Sequence, residues 1–246
     1  MNIFISGGSQ GIGKATVLHF LEKGHHVAFS YNSNRIEAEK TLQLAQEKFP
    51  TQKVRAYKLD VRIEQEVETI GEQVLEDFTT IDSLICNAGI ANSELLITHS
   101  TETWNNILQT NLTGTFFLCR FFLSPFLENR KGSIVLLSSL NRHGASGLSA
   151  YATSKAGLIG LSQSIAKEYG AKGIRCNVVS PGYIETELTS HLAELKSGKF
   201  FLATSPLKRA GLSEEVASAI YFLASSDSTF VNGSEVTIDG GLRWMP

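Results

Sequence analysis

Residues 2–24 read NIFISGGSQGIGKATVLHFLEKG. Asn2 to Ser6 is a short apolar run closed by Gly7-Gly8, the pattern of a strand buried on both faces. From Gly11 to Lys23 the period changes: Ile12, Ala15, Leu18 and Leu21 recur at helical spacing, and Gly24 stands where the helix stops. Between the two lie glycines at 7, 11 and 13. Glycine admits positive φ and lets backbone approach a ligand closely. A helix starting near Gly11 turns free N–H groups and a positive dipole end toward that turn, which suits a pyrophosphate.

The alternation then continues along the chain. Val27 to Tyr31 reads as a second strand, Arg35 to Lys48 as an amphipathic helix ending before Pro50, and Val54 to Leu59 as a third strand. Glu64 to Phe78 repeats the helical pattern, and Ser83 to Cys86 is a fourth strand running into Asn87-Ala-Gly89. Thr101 to Phe126 is one long helical run, followed by the turn-forming Asn129-Arg-Lys-Gly132 and the strand Ile134 to Leu137. A helix over Ala150 to Tyr169, a strand over Gly173 to Ser180 stopped by Pro181-Gly182, and a mobile helical excursion over 186–204 come next. Ser213 is expected to cap a helix to Ala224 with Glu214 and Glu215 in its first turn, and Glu235 to Ile238 is a last strand before Asp239-Gly-Gly241. Strands separated by helices pair in parallel through right-handed crossovers. The expectation is an α/β fold: one domain over residues 1–246, with a doubly wound parallel sheet of about seven strands and helices on both faces.

Composition narrows the function. The net charge of -2 argues against a general affinity for nucleic acid or an anionic membrane. No apolar run approaches the ~18 residues of a membrane span, and the N-terminal MNIFISGGSQ has no signal-peptide pattern. Cys86, Cys119 and Cys176 are odd in number and form no CxxC pair, which reads as buried thiols in a reduced, cytoplasmic protein. His99, His143 and His191 lack ligand-spaced partners, and no Cys/His cluster argues for a metal.

The chemistry concentrates in SSLNRHGASGLSAYATSK, residues 138–155. Tyr151 and Lys155 are four apart, so on a helix they share a face. An ammonium beside a phenol favours the phenolate and lowers the phenol's pKa from about 10, making it a usable general acid or base. Ser138 lies thirteen residues before Tyr151, at the end of a strand, with Ser139 as its neighbour.

The turn G-x-x-x-G-x-G differs from the G-x-G-x-x-G dinucleotide fingerprint. With Tyr151 and Lys155, it resembles the short-chain dehydrogenase/reductase family. Asp60-Val61, Asn87-Ala-Gly89, Asn111, Ser138, Pro181-Gly-Tyr-Ile-Glu-Thr186 and Asp239-Gly-Gly241 match the same pattern over nearly the whole chain. The resemblance implies a Rossmann-type fold and a nicotinamide cofactor. Gly7, Ser9, Gln10, Gly11, Ile12 and Gly13 would cradle its phosphates. It further implies that Asp60 and Val61 hold the adenine, that Asn87, Ala88 and Gly89 line its ribose side, and that Pro181, Gly182, Ile184 and Thr186 flank the nicotinamide. Ser138 would hold the substrate carbonyl, preferred over Ser139 by the family's thirteen-residue separation. Tyr151 would give the proton, Lys155 would bind the ribose and favour the phenolate, and Asn111 would bend its helix and hold a relay water. Cys86 departs from the family's usual asparagine and implies a weaker hydrogen bond in the central sheet.

The end of the second strand carries Tyr31, Asn32, Ser33 and Arg35 where an acidic residue would select NAD, so NADP(H) is expected over NAD(H). Within the family the chain looks most like enzymes that reduce 3-oxoacyl groups on an acidic acyl carrier protein. Arg130, Lys131, Lys172, Lys208 and Arg209 are candidate contacts for such a carrier. A sugar, steroid or polyketide-like ketone is the alternative substrate, and a non-catalytic nucleotide sensor is a third reading. Arg142 and His143 replace small residues after Ser138 and are expected to narrow or polarise the pocket. Phe116, Phe117, Phe121 and Phe122 fall on more than one helix face, and the resemblance implies a homotetramer packed through these helices.

Overall fold

The computed structural model describes residues 1–187, 189 and 196–242, excepting the side chains of 196–199. His191 and much of the 186–204 excursion therefore lie outside the described residues. The strands are β1 (Asn2–Ser6), β2 (His26–Tyr31), β3 (Val54–Lys58), β4 (Ser83–Cys86), β5 (Gly132–Leu137), β6 (Ile174–Pro181) and β7 (Glu235–Ile238). The helices are α1 (Gly11–Glu22), α2 (Arg35–Lys48), α3 (Glu64–Phe78), α4 (Thr101–Leu108), α5 (Gly114–Asn129), α6 (Ser149–Tyr169), α7 (Lys196–Thr204) and α8 (Ser213–Ala224).

The strands form one sheet in the order β3-β2-β1-β4-β5-β6-β7, parallel at every pairing. The chain winds outward from β1 to β3, returns to place β4 on β1's other side, and winds outward again. That reversal leaves a crevice beyond the C-terminal ends of β1 and β4, where open α/β sheets bind ligands. Side-chain alternation divides each strand between two cores. Phe4, Leu84, Ile134, Leu136 and Val178 face Val74, Phe122 and Leu158 of α3, α5 and α6. Ile3, Ile5, Ile85, Val135 and Val179 face Phe20, Ala45 and Ile220 of α1, α2 and α8. Helices on both faces explain why the strands read as continuous apolar runs. Among the described residues, no helix is long and apolar enough to cross a membrane.

The expected single helix over Thr101 to Phe126 is two helices joined by a π turn at Gln109–Thr113. Asn111 sits in that turn, and tertiary contacts account for it. Its side chain is drawn toward Ile90, while Gly114 lies so close to Val61 that an added Cβ would stand 2.8 Å from the Val61 carbonyl. The expected Ser213 cap is also corrected. The Ser213 hydroxyl donates to the Glu185 carbonyl at 3.3 Å, and the Glu215 carboxylate accepts from the Leu212 N–H at 2.8 Å instead. The phenylalanine cluster is mostly consumed within the chain. Phe122 is fully buried and Phe121 packs on Gly71, whereas Phe116 remains 40% exposed.

Candidate active site

The crevice is a cleft of about 500 Å³. Its floor is the turn after β1. Gly7 and Gly11 adopt φ of +70° and +52°, conformations that glycine alone takes readily. At Gly13 the constraint is space: a Cβ would lie 2.0 Å from the Gly7 carbonyl oxygen. Gln10 precedes α1 without capping it, so the first N–H groups of that helix remain available to a ligand. Three bonds fix the turn to the segment after β4. The Ser6 hydroxyl accepts from the Asn87 and Ala88 N–H groups, both at 3.1 Å, and Asn87 Nδ2 donates to the Gly7 carbonyl at 2.8 Å. These features fit a pyrophosphate on α1, and the cleft that continues past them fits the rest of a dinucleotide.

Of the residues expected around a cofactor, all line the cleft except Arg35 and Asp60. Arg35 is one turn from Glu39, and its Nε pairs with that carboxylate at 2.6 Å while the side chain stays 77% exposed. Asn34 stands nearer, capping α2 and donating to Gln10 Oε1 at 3.3 Å across the cleft mouth. The Asp60 carboxylate is taken up by Arg62, with Nη2 at 2.5 Å, and this pairing holds it below the usual carboxylate range. Arg62 lines the cleft in its place and reaches Asn106 Oδ1 on α4 at 2.6 Å. Sequence reasoning passed over Arg62, although its position two residues after an aspartate at a strand end was a readable signal.

At the far end of the cleft Tyr151 and Lys155 project from the first turns of α6, as the four-residue spacing requires. Lys155 is 5% exposed, its Nζ donates to the Leu137 carbonyl at 2.6 Å, and burial pushes its pKa down to about 8. Nζ stands 5.8 Å from the centre of the Tyr151 ring. The expected lowering of the phenol does not occur here. Burial raises the Tyr151 pKa, and the hydrogen bond with the Ser139 hydroxyl opposes that rise.

Both serines line the cleft, but their hydroxyls have different partners. Ser138 continues the alternation of Ile134 and Leu136 and therefore points under α6, where its hydroxyl donates to the Lys155 carbonyl at 2.8 Å. Ser139 meets the phenol. The period of β5, rather than the residue count back from Tyr151, was the signal that distinguishes them. Asn111 does not line the cleft. Its Oδ1 accepts from the Ile90 N–H at 2.8 Å and its Nδ2 donates to Ile90 O and to Ser154 Oγ, so it ties the cleft wall to α6.

Arg142 and His143 do not narrow the cleft: Arg142 is buried against β7 and His143 is exposed. The Cys119 thiol donates a hydrogen bond to Cys86, a contact that with burial raises the Cys119 pKa; both thiols are free. Arg130 and Lys131 precede β5 and Lys172 precedes β6, placing them at the N-terminal ends of these strands, opposite the cleft. Arg209 is paired with Glu215 at 2.6 Å, and Lys208 Nζ donates to the Ala203 carbonyl at 2.6 Å.

The family described as enoyl-(acyl carrier protein) reductase matches residues 7–243. The chain belongs to the short-chain dehydrogenase/reductase family. It is 39% identical over 239 residues to a 3-oxoacyl-[acyl-carrier-protein] reductase FabG of Thermotoga maritima, covering 97% of this chain and 96% of that one. The protein of the same name from Haemophilus influenzae is 36% identical over 240 residues, covering 97% and 96%. Among solved structures, levodione reductase superposes with a TM-score of 0.94 at 29% identity, over 99% of this chain and 97% of the other. As a short-chain dehydrogenase/reductase, the chain is a nicotinamide-dependent oxidoreductase of the carbonyl-reducing kind.

Proposed function

We propose that this protein is an NADPH-dependent reductase of 3-oxoacyl thioesters, forming the 3-hydroxyacyl product, with an acyl carrier protein bearing the substrate. The observation that carries the chemistry is the Tyr151 phenol in the cleft, hydrogen-bonded to Ser139 and one turn before the buried Lys155. The cofactor, when bound, supplies the hydride. Ser139 holds the ketone oxygen beside the phenol, and Tyr151 gives that oxygen its proton. Lys155, a cation below about pH 8 one turn on from Tyr151, would hold the cofactor ribose and, with the cofactor in place, offset the charge left on the phenol. Asn111 acts from behind, holding Ile90 and Ser154.

The preference for NADPH rests on the end of β2, which brings Tyr31, Asn32, Ser33 and Asn34 to the cleft and no carboxylate. With Arg35 turned to Glu39, Arg62 is the cation that lines this end. The thioester assignment rests on the reductases of Thermotoga and Haemophilus. The likeness to levodione reductase favours a second reading, a free cyclic or aliphatic ketone. A homotetramer in the cytoplasm, packed through α5 and α6 with Phe116 at the contact, completes the proposal.

One assay separates these readings. Oxidation of NADPH and of NADH is followed with acetoacetyl thioesters, free ketones and an enoyl thioester. Turnover of the acetoacetyl thioester with NADPH is expected. Turnover of free ketones alone would replace the substrate assignment, and tighter NADH binding would overturn the cofactor preference.

A further inference from the structure

Arg142 and Lys155 are the cations buried below a tenth exposure among the described residues. Lys155 has its task in the cleft, whereas Arg142 lies outside it. Arg142 belongs to the short 3-10 turn Leu140–His143 directly after Ser139. Its Nη1 donates to the Ser139 carbonyl at 3.0 Å, and its own backbone N–H donates to the same carbonyl at 3.2 Å. Nη2 stands 2.6 Å from Glu235 Oε1 on β7. A guanidinium is expensive to bury unless its charge is paired and its donors are used; here the charge is paired by Glu235 and the Nη1 donor is spent on the Ser139 carbonyl.

The rest of the turn gives Ser139 limited support. The Ser139 hydroxyl accepts from the Asn141 N–H at 3.1 Å, but the turn leaves through Gly144, at φ +99° with open space around it. The far partner is rigid: Glu235 is paired in the ladder with Val178 of β6, so β7 is held without help from Arg142. The ion pair therefore adds least to the strand and most to the serine.

We propose that Arg142, braced by Glu235, is a positioning residue that fixes Ser139 so that its hydroxyl meets the Tyr151 phenol. This rests on the reductase reading above. The brace acts through backbone and touches neither substrate nor cofactor. Its loss is expressed in turnover, because proton transfer depends on the serine–phenol geometry.

The test compares three variants with the wild-type protein. Arg142→Met with Glu235→Leu removes both charges at once and leaves no buried ion unpaired. It should lower kcat by roughly tenfold or more while the KM for ketone and the Kd for NADPH change by no more than about twofold. Arg142→Lys supplies a single point charge that cannot serve both Ser139 and Glu235, and should lower kcat in the same direction. Phe78→Leu, in the core at the end of α3, is the control that lowers the melting temperature and leaves kcat unchanged. Wild-type kcat in either Arg142 variant, with only the melting temperature shifted, would overturn the positioning role. A wild-type protein that reduces no ketone or thioester would overturn the reductase reading and this proposal with it.

Discussion

Ser138 and Ser139 are neighbours with different tasks, and two alanine substitutions separate them. In Ser139→Ala the hydroxyl that bonds the Tyr151 phenol disappears while the backbone held by Arg142 stays in place. Removing one donor aimed at a reacting oxygen costs about 2.7–4 kcal/mol of transition-state stabilisation, so kcat should fall by roughly 10²–10³. Ser138→Ala loses a buried 2.8 Å bond to the Lys155 carbonyl, an oxygen of the α6 backbone. That bond is worth about 1 kcal/mol of stability, which in a chain of this size shifts the melting temperature by about 2–4 °C. Its kcat should stay within about threefold of wild type, since roughly 0.6 kcal/mol is all such a change represents. Steady-state kinetics with an acetoacetyl thioester, read beside thermal melts of the same preparations, separates the outcomes. If Ser138→Ala loses turnover and Ser139→Ala keeps it, the strand-alternation argument is wrong and the thirteen-residue spacing was the better guide.

Tyr151→Phe should abolish turnover and leave NADPH binding nearly intact, as measured by fluorescence titration; retained turnover would remove the phenol from the chemistry. Arg62→Ala should weaken NADPH binding by roughly tenfold, about 1.4 kcal/mol, because the adenine end of the cleft loses its tie to Asn106 and frees Asp60; unchanged affinity would return Arg62 to the surface. His19 and His25 both sit below 6.5, mainly through burial and then through Lys23 for His19 and the N-terminal ammonium for His25. A histidine lowered on folding binds its proton more readily in the unfolded chain. Stability is therefore complete above about 6.5 and is lost as pH falls from there through the folded values. Urea midpoints at successive pH values should decline over that window, and a rise on acidification would contradict the sign. Light scattering should give the mass of a tetramer, and a monomer would contradict the expected packing through α5 and α6.

The sheet and its flanking helices were legible because apolar period and glycine punctuation are local signals. Residues 2–24 alone announced the strand, the turn and the helix, and parallel connection rules supplied much of the rest. What escaped was set by contacts across the fold. The family resemblance implies a bend at Asn111, but nothing in the apolar pattern of residues 101–126 marks the π turn, because Asn111 meets Ile90 and Gly114 meets Val61 only after the chain has folded. Arg35 looked like a phosphate ligand from its place after β2, yet Glu39 one turn away claims it, and Arg62 comes to the cleft from another loop. Arg142 was read as pocket-facing because it follows Ser138 in the chain. Its counter-ion lies on β7, nearly a hundred residues later.

The π turn also acts as a phase shifter. An α-helix advances about 100° per residue, so one additional residue re-indexes every side chain beyond it. On the near side of the turn, Asn106 of α4 presents itself to the cleft; on the far side, Leu118, Phe122 and Phe126 of α5 enter the core. A continuous α-helical rod would have to serve both surfaces with a single stripe. The inserted residue lets the two surfaces vary independently in sequence, so that the cleft wall can be altered without repacking the core. Deleting one residue between 109 and 113 would remove that independence, rotating either Asn106 off the cleft or Phe122 out of the core.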